Sequence, residues 1–181
     1  ELIIYSILSY VILLATVLAN GIAQGAQPLV SYYHGRHERC AFHTIFRYEI
    51  KSGILLAAVE AVLIVAFGKY IAMLFVGEGD ALSTDIVYAL RLVAVAFPLL
   101  SMNVIIAGYL TALERSRVAV VISLMRCTLT LIVALAIIVA AFGTETVWLS
   151  LALSEMMCFI IAVLLYKKTR RVAIDETFDD M

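Results

Sequence analysis

Apolar residues fall in five long runs separated by short polar links, roughly 2–33, 53–76, 82–110, 118–141 and 147–166. Each is about 20 residues or more, the length a helix needs to cross a hydrocarbon core of about 30 Å. In lipid every backbone polar group must be bonded within the segment, so the pattern predicts an all-α polytopic membrane bundle of five transmembrane helices. As one helix, the first run would measure about 48 Å at about 1.5 Å per residue, so it tilts, kinks or projects from the bilayer. Between the first two runs the pattern changes. Over 39–51, Phe42, Ile45, Phe46 and Ile50 share one stripe while Arg39, His43, Arg47 and Lys51 lie elsewhere, which predicts a separate amphipathic helix lying in the interface.

Composition supports a membrane protein: of 181 residues, 64% are hydrophobic and 15% charged, with a mean hydropathy of +1.05. A soluble domain has too little polar covering for runs of this kind. The net charge of −1 says little about partners; no nucleic acid is expected, and lipid is the partner the apolar runs require. Cys40, Cys127 and Cys158 have no framework spacing, so no disulfide is expected. His37, Cys40 and His43 recur in steps of three, but two His and a Cys in a basic loop are ordinarily solvated, and we assign no metal and no cofactor.

Basic residues set the orientation. Arg36, Arg39, Arg47 and Lys51, then Arg115 and Arg117, then Lys167, Lys168, Arg170 and Arg171 lie in alternate links and in the tail, whereas the links 77–83 and 142–146 carry only acids. The positive-inside rule makes the basic side cytoplasmic, with a cytoplasmic C-terminus in a plasma membrane protein. Residues 171–181 form an acidic cytoplasmic tail beyond a membrane unit of 1–170. Five crossings then leave Glu1 outside, where nothing resembles a translocated start, so at least one upstream helix is expected.

Function is sought among polar groups at membrane depth, which are costly in lipid and turn toward protein or water. Asn20, Gln24, Gln27 and Asn103 are the candidates for lining a substrate cavity, and Pro28 and Pro98, which interrupt spans one and three, are candidate hinges. Ionisable residues lie within spans, chief among them Glu60, Lys69, Arg91, Arg126 and Glu155. Lys69 and Arg91 are close enough to a span end to snorkel. Glu60 and Arg126 each stand eight residues in from the basic side, about 12 Å deep. Their shared depth predicts a Glu60–Arg126 ion pair with Glu155 about a turn deeper, serving either to lock the bundle or to couple an ion.

Two stretches carry a resemblance. The run GIAQGAQPLVSYYHGRHE, 21–38, resembles the G-x-x-x-G-x-Q-P-L-x-S-x-x-x-G signature of multidrug and toxic compound extrusion (MATE) transporters. AGYLTALERSRVAVVISLMRCTLTLIVALAII, 107–138, is similar to the family's succession of helix, small-residue turn, basic loop and helix with an inner arginine, here Arg126. The resemblance implies helices eight to twelve of a twelve-helix protein, five helices of the six-helix C-terminal lobe. The partners it implies are an N-terminal lobe and helix seven. It also implies export of small cationic or amphipathic compounds by rocker-switch antiport with H⁺ or Na⁺. In some sodium-coupled members an acid in the tenth helix takes part in coupling, and the matching region here offers Asn103.

A lipid-linked saccharide flippase of the same superfamily is the nearest alternative, but it favours a strongly cationic cavity. A purely structural membrane subunit would use the small residues around Gly21 and Gly25 as packing glue. An intramembrane enzyme is not expected, because no histidine lies in a span and no two acids sit a turn apart there.

Overall fold

In a computed structural model the backbone is described for residues 2–76, 81–143 and 146–179, and the side chains for 3–76, 82–143 and 146–169. The links expected at 77–83 and 142–146 fall partly outside these residues, as do Glu1 and the side chains of the tail. The described chain is helical: α1 Leu2–Gly35, α2 Arg39–Val76, α3 Ala81–Ala94, α4 Phe97–Ala112, α5 Ser116–Leu124, a π-helical turn Met125–Leu129, α6 Thr130–Phe142 and α7 Leu149–Asp179. Four helical stretches are long and apolar enough to cross a membrane, and α3 with α4, bent by 43° at their break, meets the same requirement only as a pair, which gives four to five candidate crossings.

The end of α1, the start of α2, the end of α4 and Tyr166 of α7 meet in one cluster, which brings the neighbouring stretches rich in Arg and Lys together at one end of the bundle, the basic end. Helix α4 is the centre of the bundle, packed against α1, α2, α5 and α7. It is apolar all round and buried nearly all round: Phe97, Leu100, Ile105, Tyr109 and Leu110 are all within 2% of full burial. Lipid is as apolar as leucine, so close packing rather than dehydration holds such helices together. At the α1–α4 crossing a Cβ added to Gly108 would stand 2.9 Å from Ala23 Cβ, and only glycine lets the two backbones approach so closely.

The bend between α3 and α4 has a local cause. Pro98 lacks the N–H that would bond the Ala94 carbonyl, and the Ala96 N–H turns back to Val93 O at 2.9 Å. Pro28 behaves differently. It sits on the exposed side of α1, and α1 runs through it unbroken.

Residues 39–51 differ from the sequence expectation. They are not a separate interfacial helix but the first turns of the 38-residue α2. The only breaker at the junction, Gly53, is taken up by packing, since the Ile105 side chain occupies the place of its missing Cβ. The stripe of Phe42, Ile45, Phe46 and Ile50 is turned onto the bundle. Phe42 packs with Val30, Tyr109 and Ala112, and Phe46 stacks on Tyr109 with ring centroids 3.9 Å apart. His37 lies in the turn before α2 with φ of 58°, so it does not share a helix face with Cys40 and His43.

Candidate functional site

The π-helical turn builds the main polar site. Inside a span of Val, Leu and Ile, the Thr130 N–H reaches back five residues to Met125 O, and Thr130 Oγ also bonds Met125 O at 3.0 Å. The wider turn presents Arg126 to α7, and single π turns of this kind recur at functional sites. Arg126 Nε donates to Glu155 Oε1 at 2.9 Å. Asn103 of α4 donates through Nδ2 to the other carboxylate oxygen, Oε2, at 2.7 Å, and to the Glu155 backbone carbonyl at 3.0 Å. A longer contact of 3.5 Å joins an Arg126 terminal nitrogen to Thr16 Oγ1 on α1. Asn20 closes the chain of contacts by donating to Thr16 O at 2.9 Å.

Two elements, the π turn and α4, thus converge on one carboxylate of α7, both of whose oxygens are bonded, and α1 joins the cluster through the Thr16 contact with Arg126. Side-chain exposure of 18% for Arg126 and 12% for Glu155 keeps the pair largely shielded, where charge-assisted bonds are at their strongest. Asn103 Oδ1 is buried without a partner among the described residues. A cavity of about 20 Å³ adjoins the site, between Ile12, the break residues Val93 and Ala96, Leu100 and Glu155. That is room for about one water, and Glu155 is its only polar side chain.

The expected Glu60–Arg126 pair does not form. Equal depth fixed one coordinate, but direction around the helix decides who meets whom. Helix α2 packs on α1, α3 and α4, while the Arg126 turn packs on α7. Arg126 therefore takes Glu155, and both Glu60 oxygens are buried with no hydrogen-bond partner. The other candidates are dispersed: Gln24 is exposed on α1, Gln27 is half-buried there, Pro28 is exposed, and Pro98 lies at the break two residues from Leu100. Gly21 and Gly25 have nothing within 4 Å of where a Cβ would stand, so this face of α1 is open in the chain alone. Thr16 escaped the sequence reading, although a polar residue one turn before Asn20 on the same helix was a usable signal. Among the described residues, no three His, Cys, Asp or Glu side chains come together as a metal site, and Cys40, Cys127 and Cys158 are free thiols.

Comparison with known proteins bears on what this bundle is. A family model described as MatE matches residues 1–137. No curated protein sequence matches. Among solved structures, a MATE protein in complex with MaL6 is similar over 96% of this chain with a TM-score of 0.85 and 17% identity. An outward-facing multidrug resistance MATE family transporter of the MOP superfamily gives 96%, 0.84 and 18%. The Vibrio cholerae MATE transporter VcmN in its bent form gives 93%, 0.83 and 19%. This chain spans only 39%, 39% and 38% of those chains. The family match covers well over half of the residues and agrees with the signature at 21–38 and with the membrane bundle, so the chain belongs to the MATE family, whose members are transporters and not enzymes.

Proposed function

We propose that the chain forms helices eight to twelve, most of the C-terminal lobe, of a secondary exporter that moves small cationic or amphipathic compounds by H⁺- or Na⁺-coupled antiport. Within that reading the basic end faces the cytoplasm and the protein works in the plasma membrane. The observation that carries it is the carboxylate of Glu155, held by Arg126 and Asn103 beside the break in the third crossing. An acid at this depth, gripped by a cation but adjoining a cavity, is suited to exchange one positive partner for another. A proton or Na⁺ arriving at Glu155 competes with Arg126 for the same oxygens. Its binding frees the guanidinium to change partners, and the Pro98 break gives α4 the freedom to follow.

The lobe's own fold is compatible with rigid-body rocking. A relative described as outward-facing and one described as inward-facing match this chain with TM-scores of 0.84 and 0.81. Asn20, Gln24 and Gln27, on or beside the open face of α1, then line a cavity shared with the other lobe, while Asn103, buried within the bundle, acts behind that wall through Glu155, which it holds.

The test is gradient-driven transport by the complete protein in proteoliposomes, read with ethidium as a fluorescent cationic substrate. An imposed H⁺ or Na⁺ gradient should drive ethidium movement, and Glu155→Gln should abolish the response to the gradient while ethidium still binds. Unchanged gradient-driven movement in Glu155→Gln, or no gradient-driven movement in the unaltered protein, overturns the proposal.

A further inference from the structure

A second set of buried acids plays no part in the Arg126 cluster. On α2, Glu49 is only 4% exposed and neither carboxylate oxygen has a hydrogen-bond partner. Eleven residues further on, Glu60 is half-buried as a residue, but both its carboxylate oxygens are likewise buried and unpartnered. Eleven residues are three turns plus about 20°, so the two acids share one stripe of α2 and stand about 16 Å apart along it. Gly53 lies on that stripe between them, and there α4 comes against α2: Ile105 fills the place of the glycine's Cβ, and Ser101 Cβ stands 3.8 Å from it. Ser101 is 1% exposed, and its hydroxyl is a further buried, unpartnered polar group on the same seam.

Among the described residues the surroundings offer neither acid a bonded counter-charge. Helix α1 has no ionisable residue between Tyr10 and Tyr32. Helix α4 has only Tyr109, whose hydroxyl lies 3.1 Å from His43 Nδ1. On α3, Asp85, Tyr88 and Arg91 are all exposed. Near the basic end stand Tyr32, Tyr33 and His34 of α1, Tyr166 of α7, which lies against Phe46, and His43, Arg47 and Lys51 of α2. None of these donates to Glu49. An ionised carboxylate sealed away from water with no donor is far costlier than a neutral acid, which forfeits only hydrogen bonds.

We propose that the α2–α4 seam is a second proton-binding site, in which Glu49 and Glu60 each hold a proton while the seam is closed and exchange it when α4 swings off α2. The break at Ala94–Phe97 supplies the joint for that movement, and Ser101 is the polar group that water reaches first between the two acids. Release leaves a carboxylate on α2 and a proton in the entering water, and re-closing requires the proton back. The seam therefore counts protons against the position of α4, whichever ion Glu155 handles.

Infrared difference spectroscopy of the complete protein in lipid tests this without requiring transport, so its outcome is independent of the antiport reading. At neutral pH the spectrum should contain protonated-carboxyl C=O bands. Glu49→Gln should delete one and Glu60→Gln another, and the Glu→Asp variants should shift rather than delete them. In D₂O both bands should exchange slowly, and Ile105→Ala, which loosens the seam without touching either acid, should speed the exchange of both. If neither Gln variant removes a protonated-carboxyl band, or if the bands of the unaltered protein exchange as fast as those of exposed acids, the proposal falls.

Discussion

Glu155 and Glu60 are both acids well inside the membrane, yet the bundle treats them in opposite ways. Glu155 sits where four elements meet, and each of its oxygens receives a donor: the Arg126 guanidinium on one side and the Asn103 amide on the other. Glu60 sits on a helix whose neighbours, α1, α3 and α4, bring it no cation, and its oxygens receive nothing. The difference teaches that depth alone does not decide the state of a buried acid. What decides it is whether a neighbouring helix presents a donor at the right angle, and here that angle is produced by one π-helical turn. A gripped acid fixes the helices around it. An ungripped one fixes nothing, and ionising it where no donor reaches it is costly.

The largest effect should come from breaking the grip. Arg126→Ala leaves Glu155 as an uncompensated buried charge, and removing one member of a buried pair costs about 3–5 kcal/mol. Thermal unfolding of the complete protein in detergent should show a large drop in midpoint, and adding Glu155→Gln to Arg126→Ala should recover part of it. If the single and double variants unfold alike, the pair does not hold the bundle. Next in size is Asn103→Ala. It removes the donor to Oε2 at 2.7 Å and the donor to the Glu155 carbonyl while Arg126 remains, so the expected cost is about 1–3 kcal/mol. The same midpoint measurement checks it, and a loss as large as that of Arg126→Ala would mean that the amide and not the cation is the principal partner.

Much of this architecture could be read from the chain before any coordinates. Length and polarity fixed the crossings, because hydrocarbon admits so few alternatives, and the run from Gly21 to Glu38 carried the family. The bend at Pro98 was legible because a missing N–H has a predictable consequence. Three features were not. The π turn around Arg126 depends on which helices α5 and α6 pack between, and no local propensity encodes it. The fusion of 39–51 with α2 depends on Ile105, a residue of another helix, filling the gap at Gly53. The partner of Arg126 depends on rotation about helix axes, and a five-helix bundle offers several rotations that bury the same apolar faces. Pro28 illustrates the converse limit: the sequence marks a breaker, but on an exposed face the helix passes through it.

The smallest effect should come from Glu60→Gln, and it is the sharpest probe of the contrast. If Glu60 is neutral in the folded bundle, replacing its O–H by an amide of nearly the same shape changes no charge and breaks no bond that the described structure contains. The expected change in stability is then below about 1 kcal/mol, within the range of volume-conserving substitutions. A hidden cation paired with Glu60 predicts the reverse, because Gln would strand that cation and cost about 3–5 kcal/mol. The two expectations differ enough for a midpoint in detergent to separate them. Carrying Glu60→Gln into the Arg126→Ala background gives the remaining discrimination. Independent sites add to within about 0.5 kcal/mol, so additivity would mean that the two acids belong to separate systems, whereas a marked departure would mean that the bundle couples them through α4, which touches both α2 and α7.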